Sequence, residues 1–250
     1  MVAPPVRRPP PPLRTAAVRA TAPVTPRLLV VTIGGLPGIR IDEPAASVRL
    51  LLPEPEGLVI PEWNGNEFLL PDGRRPGLRT LTPVAADPDA GTLEVAVVLH
   101  GASRLSDWAR SARPGDPVAV SGPARGHALD PGAAHHLFAG DESALPAIRQ
   151  LVGVLPEGAT ARVIVEVGAP EARLDDPALS GADWIVAVDV PGSALADAVA
   201  AAELPADVRV WAAGEAASVQ RIRKHLFDER GLDRSQCTVR GYWKLGREGT

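Results

Sequence analysis

The feature that most constrains this chain is a change of grammar near Gly126. Before it, short apolar runs alternate with turns. RLLVVTI (27–33), SVRLLLP (47–53), LRTLTPV (78–84), TLEVAVVLH (92–100) and PVAVSGP (117–123) are rich in Val, Leu and Thr, as strands are. LPG, PDG, DPDAG and RPGD separate them as turn sequences. One segment departs from the pattern: in SRLSDWARSA (103–112), Leu105, Trp108 and Ala109 recur at helical spacing. This half is therefore expected to be an antiparallel β-barrel capped by one short helix, over residues 25–125.

After Gly126 strands and helices alternate. HHLFAG leads into ESALPAIRQLVGVL and then ARVIVEV; DWIVAVDV precedes SALADAVAAAEL; VRVWAAGE leads into AASVQRIRKHLFDER; CTVRGYWKL follows. Alternation of this kind predicts parallel strands joined by right-handed crossovers, an α/β domain over residues 126–250. A chain of 250 residues is long enough for both domains to have their own cores. A barrel followed by such a domain is a two-site arrangement, one ligand to each domain.

Bulk chemistry removes several function classes. The net charge of −4 provides no basic field for nucleic acid or a membrane surface. Cys237 stands alone, which excludes an internal disulfide framework and a multi-cysteine metal site and favours a reducing cytoplasm. No run of 18 apolar residues predicts a membrane span, and the basic, proline-rich opening lacks the apolar centre of a secretory signal. Those prolines favour extended, solvated chain, so residues 1–24 are read as a disordered arm. A monomer is expected. His135 and His136, adjacent on a strand, direct their rings to opposite faces and with His127 and His225 make no metal site. RIRKH (221–225) reads as the solvated face of a helix, and no G-x-S-x-G nucleophile turn is present.

The joint FAGDESALPAIRQL (138–151) holds the most concentrated chemistry. Asp141 and Glu142 are suited to the N-terminal end of a helix running from 142 to about 155, where acids accept from orphan N–H groups. Gly140 permits a tight turn, and Pro146 loses least in a first helical turn. Turns at the carboxyl ends of strands are where α/β sheets bind ligands.

Four segments in order, RTLTPV (79–84), VVLHGASRLSDWA (97–109), AGDESALPAI (139–148) with AGEA (213–216), and GYWKLG (241–246), resemble the siderophore-interacting proteins, flavin-dependent ferric-siderophore reductases of the ferredoxin-reductase-like group. The resemblance covers about residues 25–247. It implies a flavin-binding barrel, a nicotinamide-nucleotide domain, and reduction of Fe(III) held by a siderophore. For FAD it points to Arg79, with a guanidinium suited to phosphate, and to Thr82, with a hydroxyl for the flavin ring. Leu81 stands at the family's tyrosine position and covers a ring without stacking on it. His100 and Gly101 match, whereas Ser103, Arg104 and Leu105 replace Gly-Pro-Ala; Ser103 or Ser106 is expected to cap a helix whose N-terminus cradles the pyrophosphate. Trp108 is assigned to the core, and Trp243 to the flavin or to sheet closure.

For NADPH or NADH the resemblance implies Gly140, Asp141, Glu142, Ser143, Ala144 and Pro146, with Ala213, Gly214 and Glu215 forming a second strand-end turn. A positive rim for an anionic ferric siderophore is expected from Arg125, Lys244 (where the family usually has arginine) and Arg247. No protein acid or base is required for catalysis. Glu166, 26 positions past Gly140, is expected to accept from the ribose 2′-OH and to favour NADH, with Glu171 adding repulsion and Arg173 available to a 2′-phosphate. Discrimination between donors is expected to be modest.

Overall fold

The structure, a computed structural model, describes residues 12–101 and 103–246. In the first half, strands β1 (Arg14–Thr25), β2 (Leu28–Gly34), β3 (Val48–Leu51), β6 (Leu78–Leu81), β7 (Pro83–Asp87), β8 (Thr92–Val98) and β9 (Pro117–Ser121) form one sheet in the order β6-β3-β9-β1-β2-β8-β7. All its pairings are antiparallel. A small hairpin of β4 (Glu62–Trp63) and β5 (Phe68–Leu69) lies outside it. The two edge strands, β6 and β7, are separated in the chain by Thr82 alone. Laid flat, the edges of a seven-stranded sheet lie about 29 Å apart, and one linking residue spans about 7 Å. The sheet therefore curls towards closure, and Val18, Val31, Ile33, Leu50, Val95, Val97 and Val120 fill its interior. Helix α1 (Arg104–Ser111) adds Trp108 and Ala109 to this cluster, as read from their spacing.

Residues 14–24, expected to belong to a disordered arm, are instead in a strand. Arg14–Thr25 is the longest strand of the sheet, pairing with β2 on one side and β9 on the other, with Val18 fully buried. Residues 1–11 lie outside the described part of the chain.

The second half is a five-stranded parallel sheet in the order β12-β11-β10-β13-β14: β10 (His135–Asp141), β11 (Thr160–Val167), β12 (Asp183–Val186), β13 (Arg209–Glu215) and β14 (Cys237–Trp243). Helix α2 (Leu145–Gly153) covers one face; α3 (Ser193–Ala201) and α4 (Ala216–Lys224) cover the other. Alternation along the buried strands sorts the side chains. Phe138, Val165 and Trp211 pack with α2, while Leu137, Ala139, Ile164 and Val210 pack with α3 and α4. The helix expected from residue 142 begins as a 3₁₀ turn, Glu142–Ala144, and is α-helical only from Leu145.

The two halves share an interface. Gln150 of α2 accepts from the Ala45 N–H (2.8 Å) and donates to the Pro83 carbonyl (2.7 Å), and Ala45 packs in the α2 cluster. The linker between the sheets is pinned to the barrel where the Gly126 N–H donates to Glu43 (2.8 Å). No helix among the described residues is long and apolar enough to cross a membrane.

Among the described residues no cluster of His, Cys, Asp and Glu is arranged to hold a metal ion. His135 bonds Thr160, while His136 points inward and is buried. Burial lowers the pKa of His136 and of His127 below the ordinary value of 6.5. The unfolded chain therefore takes up protons near pH 6.5 that the folded protein refuses, so stability is lost as pH falls from 6.5 downward. Thermal unfolding scanned from pH 8 to pH 5 is expected to show a falling Tm below pH 6.5, with a shallower slope in His136→Gln. An unchanged slope in that variant contradicts the assignment.

Candidate functional site

Strand β10 delivers Asp141 to the point where the parallel sheet reverses direction of winding, between β10 and β13. Its carboxylate is buried and satisfied by four donors. Oδ1 accepts from Ser143 N (2.9 Å) and Ser143 Oγ (2.5 Å); Oδ2 accepts from Glu215 N (2.9 Å) and Trp243 Nε1 (2.7 Å). Burial pushes the Asp141 carboxyl above the usual range, and these donors pull it back part of the way. The glycines nearby serve this packing. At Gly140 a Cβ would stand 2.5 Å from Ala144 Cβ and 2.8 Å from the Ala213 carbonyl. Gly214, with φ of +154°, leaves room for Asp141, whose Oδ2 lies 2.6 Å from where a Cβ would be.

The neighbouring acids turn inward as well. Glu215 caps α4 by accepting from Ala217 N and Ser218 N, and its other oxygen accepts from Leu245 N (3.2 Å). Glu142 forms a two-pronged ion pair with Arg27 of the barrel, at 2.9 and 3.0 Å. Glu166 is likewise committed: its carboxylate accepts from Gly192 N and, at 2.7 Å, from Leu195 N, holding the start of α3. The expectation that Glu166 meets a ribose hydroxyl is therefore overturned; the acid is buried and spent on a helix end. Asp141, Glu142 and Glu215 shape the turns, and their carboxylates are not free to meet a ligand. Ser143 is half-buried and tied to Asp141, and Ala144, Pro146 and Ala213 are buried packing residues.

On the barrel side, β6 pairs with β3 so that Arg79 lies opposite Leu50 and Leu81 opposite Val48, placing Arg79 and Leu81 on one face of the strand. The Arg104 guanidinium packs over Gly77, two residues before Arg79, where a Cβ would stand 2.7 Å from Cζ. It is held there by Glu54 (2.8 Å) and the Pro53 carbonyl (2.7 Å). Ser103 is the N-cap of α1 and accepts from Ser106 N (3.2 Å), leaving the amides of Arg104 and Leu105 without intrahelical acceptors. Gly101, at φ of +50°, turns the chain into this helix. Arg104 is thus committed to Glu54, and the Arg79 side chain donates to the Leu78 carbonyl (3.0 Å), while the first amides of α1 have no intrahelical acceptor. Two expected flavin contacts are buried: Ser106 has its hydroxyl on the Val98 and His100 carbonyls, and Thr82 lies near the Tyr242 phenol.

The carboxyl end of β14 joins the two halves. Trp243, whose indole donates to Asp141, stacks on His100 of the barrel, with ring centroids 5.5 Å apart and planes 27° from parallel. Tyr242 packs edge-on against Trp211 (6.2 Å) as well as reaching Thr82. Segments around residues 82, 100, 141, 215 and 243 thus meet at one seam. Arg125 and Lys244 are exposed, and Arg247 lies outside the described residues. Sequence reasoning passed over Arg27 and Gln150: each makes its contacts more than 60 positions away, so no local pattern marks it.

Both halves of the chain match known proteins. Residues 17–127 match the siderophore-interacting FAD-binding domain, and residues 133–246 match the siderophore-interacting protein family. A siderophore utilization protein from T. fusca superposes with a TM-score of 0.83 at 33% identity, covering 98% of this chain and 97% of that one. An uncharacterized protein of Mycobacterium tuberculosis is 37% identical over 194 residues, 71% of this chain and 69% of its own length. The ferric vibriobactin reductase ViuB of Vibrio cholerae is 28% identical over 236 residues, 90% of this chain and 86% of the relative.

Replacing Asp141 by Asn puts an amide N–H₂ among converging donors and removes a charged acceptor. Chemical denaturation is expected to show a loss of about 1.5–3 kcal/mol, the range for hydrogen bonds to a charged group, with an altered Trp emission spectrum. Stability within 0.5 kcal/mol of wild type, on the scale of an ordinary surface change, contradicts the role given to this carboxylate.

Proposed function

Because the chain belongs to the siderophore-interacting protein family, we propose that it is a flavin-dependent reductase that passes electrons from NAD(P)H to Fe(III) held by a siderophore. The observation that carries this reading is the seam. His100 of the barrel, Asp141 and Glu215 of the parallel sheet, and Trp243 of the last strand are joined there by a ring stack and two hydrogen bonds to one carboxylate. Two domains that meet along such a seam can bring two bound groups together for electron transfer.

The residues present fit FAD on its phosphate side. Arg79 and the amides at the start of α1 would hold the phosphates, with Arg104 held by Glu54 beneath the same strand. Leu81 covers the ring with apolar surface in place of an aromatic stack. When bound, FAD supplies hydride acceptance from the nicotinamide and one-electron transfer to iron. The protein's own task is positioning: the His100–Trp243 stack closes the seam, and the turns after β10 and β13 present backbone towards the donor nucleotide. Arg125 and Lys244, both exposed, are offered to the anionic substrate at the rim.

Leu81 and the inward-facing Thr82 favour a second reading, a siderophore- or nucleotide-binding module of the same fold without flavin turnover. Reconstitution with excess FAD separates the two. The reductase reading expects one FAD per chain, an affinity weakened by about 1.5–3 kcal/mol in Arg79→Ala, and an equal or tighter affinity in Leu81→Tyr. A folded protein that stays colourless supports the module. A tyrosine variant that binds FAD much more weakly shows that β6 does not face the flavin.

A further inference from the structure

The ion pair between Arg27 and Glu142 places a guanidinium where a nucleotide site needs one. Arg27 precedes β2 at one end of the barrel, and its carbonyl accepts from Leu99 N (2.7 Å), next to the loop that begins α1. From there the side chain crosses to the parallel sheet. Its Nε and Nη2 hold Glu142, just past the end of β10, and the guanidinium lies flat against Gly168, just past the end of β11. A Cβ at Gly168 would stand 2.5 Å from Nη2 and 2.7 Å from Cζ, so the backbone is bare there because the arginine occupies the space. Glu142 is nearly buried, whereas the Arg27 side chain keeps 31% of its surface. Nη1 has no protein partner among the described residues. The ion pair with Glu142 and the field of Glu171 raise the Arg27 pKa further, so the charge is permanent.

In dinucleotide-binding sheets the phosphates sit on the helix after the first strand, and the adenosine ribose lies at the carboxyl end of the second strand. Here these are β10 and β11. An acid at the second position accepts from the 2′-OH and repels a 2′-phosphate; the acid expected there, Glu166, is turned into the protein. The side chain lying over the bare backbone at the end of β11 is instead the Arg27 guanidinium, paired with Glu142 and within the field of Glu171, and it comes from the other domain. We infer that Arg27 receives the 2′-phosphate of the donor nucleotide and so makes this chain selective for a 2′-phosphorylated dinucleotide. Glu142 is the positioning partner that fixes the guanidinium edge-on, leaving Nη1 to donate. Because the selectivity group sits on the barrel, a 2′-phosphorylated nucleotide also ties the two domains together. This inference rests on reading the parallel sheet as the nucleotide domain.

Calorimetric titration of the full chain with 5′-AMP and with 2′,5′-ADP isolates the 2′-phosphate. The inference expects 2′,5′-ADP to bind at least about tenfold tighter, the scale of one added charge-assisted contact. The preference, read as the ratio of the two affinities, is expected to fall to within twofold in Arg27→Gln and to survive in part in Arg27→Lys. Removing Arg27 alone leaves Glu142 unpaired, so the double variant Arg27→Gln/Glu142→Gln, which keeps a neutral pair, is titrated beside it and is expected to lose the preference as well. Equal binding of the two ligands by wild type, or a preference that outlives both glutamine variants, overturns the inference while leaving the nucleotide domain intact. Loss of FAD affinity in Arg27→Gln with the preference retained assigns the residue to the flavin and also overturns it. Failure of both ligands to bind overturns the nucleotide-domain reading itself.

Discussion

A single buried carboxylate holds this molecule in its working arrangement. Asp141 takes donors from its own turn, from the start of the turn after β13, and from the indole of Trp243. A charge desolvated to this extent is tolerated only while its donors stay in place, because loss of one leaves the cost of burial uncompensated. The neighbouring backbone is built to that requirement. Gly214 has no side chain because Asp141 fills the space, and Gly140 has none because Ala144 and the Ala213 carbonyl close in on it. The glycine-and-acid motif of the turn is thus explained by packing and hydrogen bonding first.

The same interaction sets the relation between the domains. Trp243 is held by Asp141 on one side and lies against His100 on the other, so the orientation of one ring depends on both sheets. Gln150 and the Arg27–Glu142 pair repeat the bridging at two further points. Ion pairs at a surface contribute little, but this one is two-pronged and its acid is nearly buried, which places it among the pairs with defined geometry. The acids of the seam are occupied in holding structure. This accords with a reaction in which electron carriers do the chemistry and the protein provides distance, shielding and charge.

The alternation of strands and helices after residue 126 was legible because each buried strand is apolar on both faces and each helix carries its own periodicity. The antiparallel half was legible for its turns and for the helix bearing Trp108. Strand β1 was not, because prolines crowd the residues before it and Pro23 lies within it. Pro23 is accommodated at a register shift between Pro23 and Thr25, where a missing N–H costs least. At the candidate site, residue identity was more legible than direction. The sequence marks Ser106, Glu142 and Glu166 as polar groups beside the expected ligand turns; only packing shows that each is turned to a protein partner. Arg27 carried no local signal, since its partner lies 115 positions away.

The most direct measurement is anaerobic electron transfer by the FAD-loaded chain. NADPH is added first, then a ferric siderophore in the presence of an Fe(II) chelator. Bleaching of the flavin absorbance by the nicotinamide donor, its return on addition of the ferric complex, and capture of about two Fe(II) per flavin, as a two-electron carrier feeding a one-electron acceptor requires, is the predicted result. Flavin that bleaches but delivers no Fe(II), or that no nicotinamide donor bleaches, contradicts the assignment.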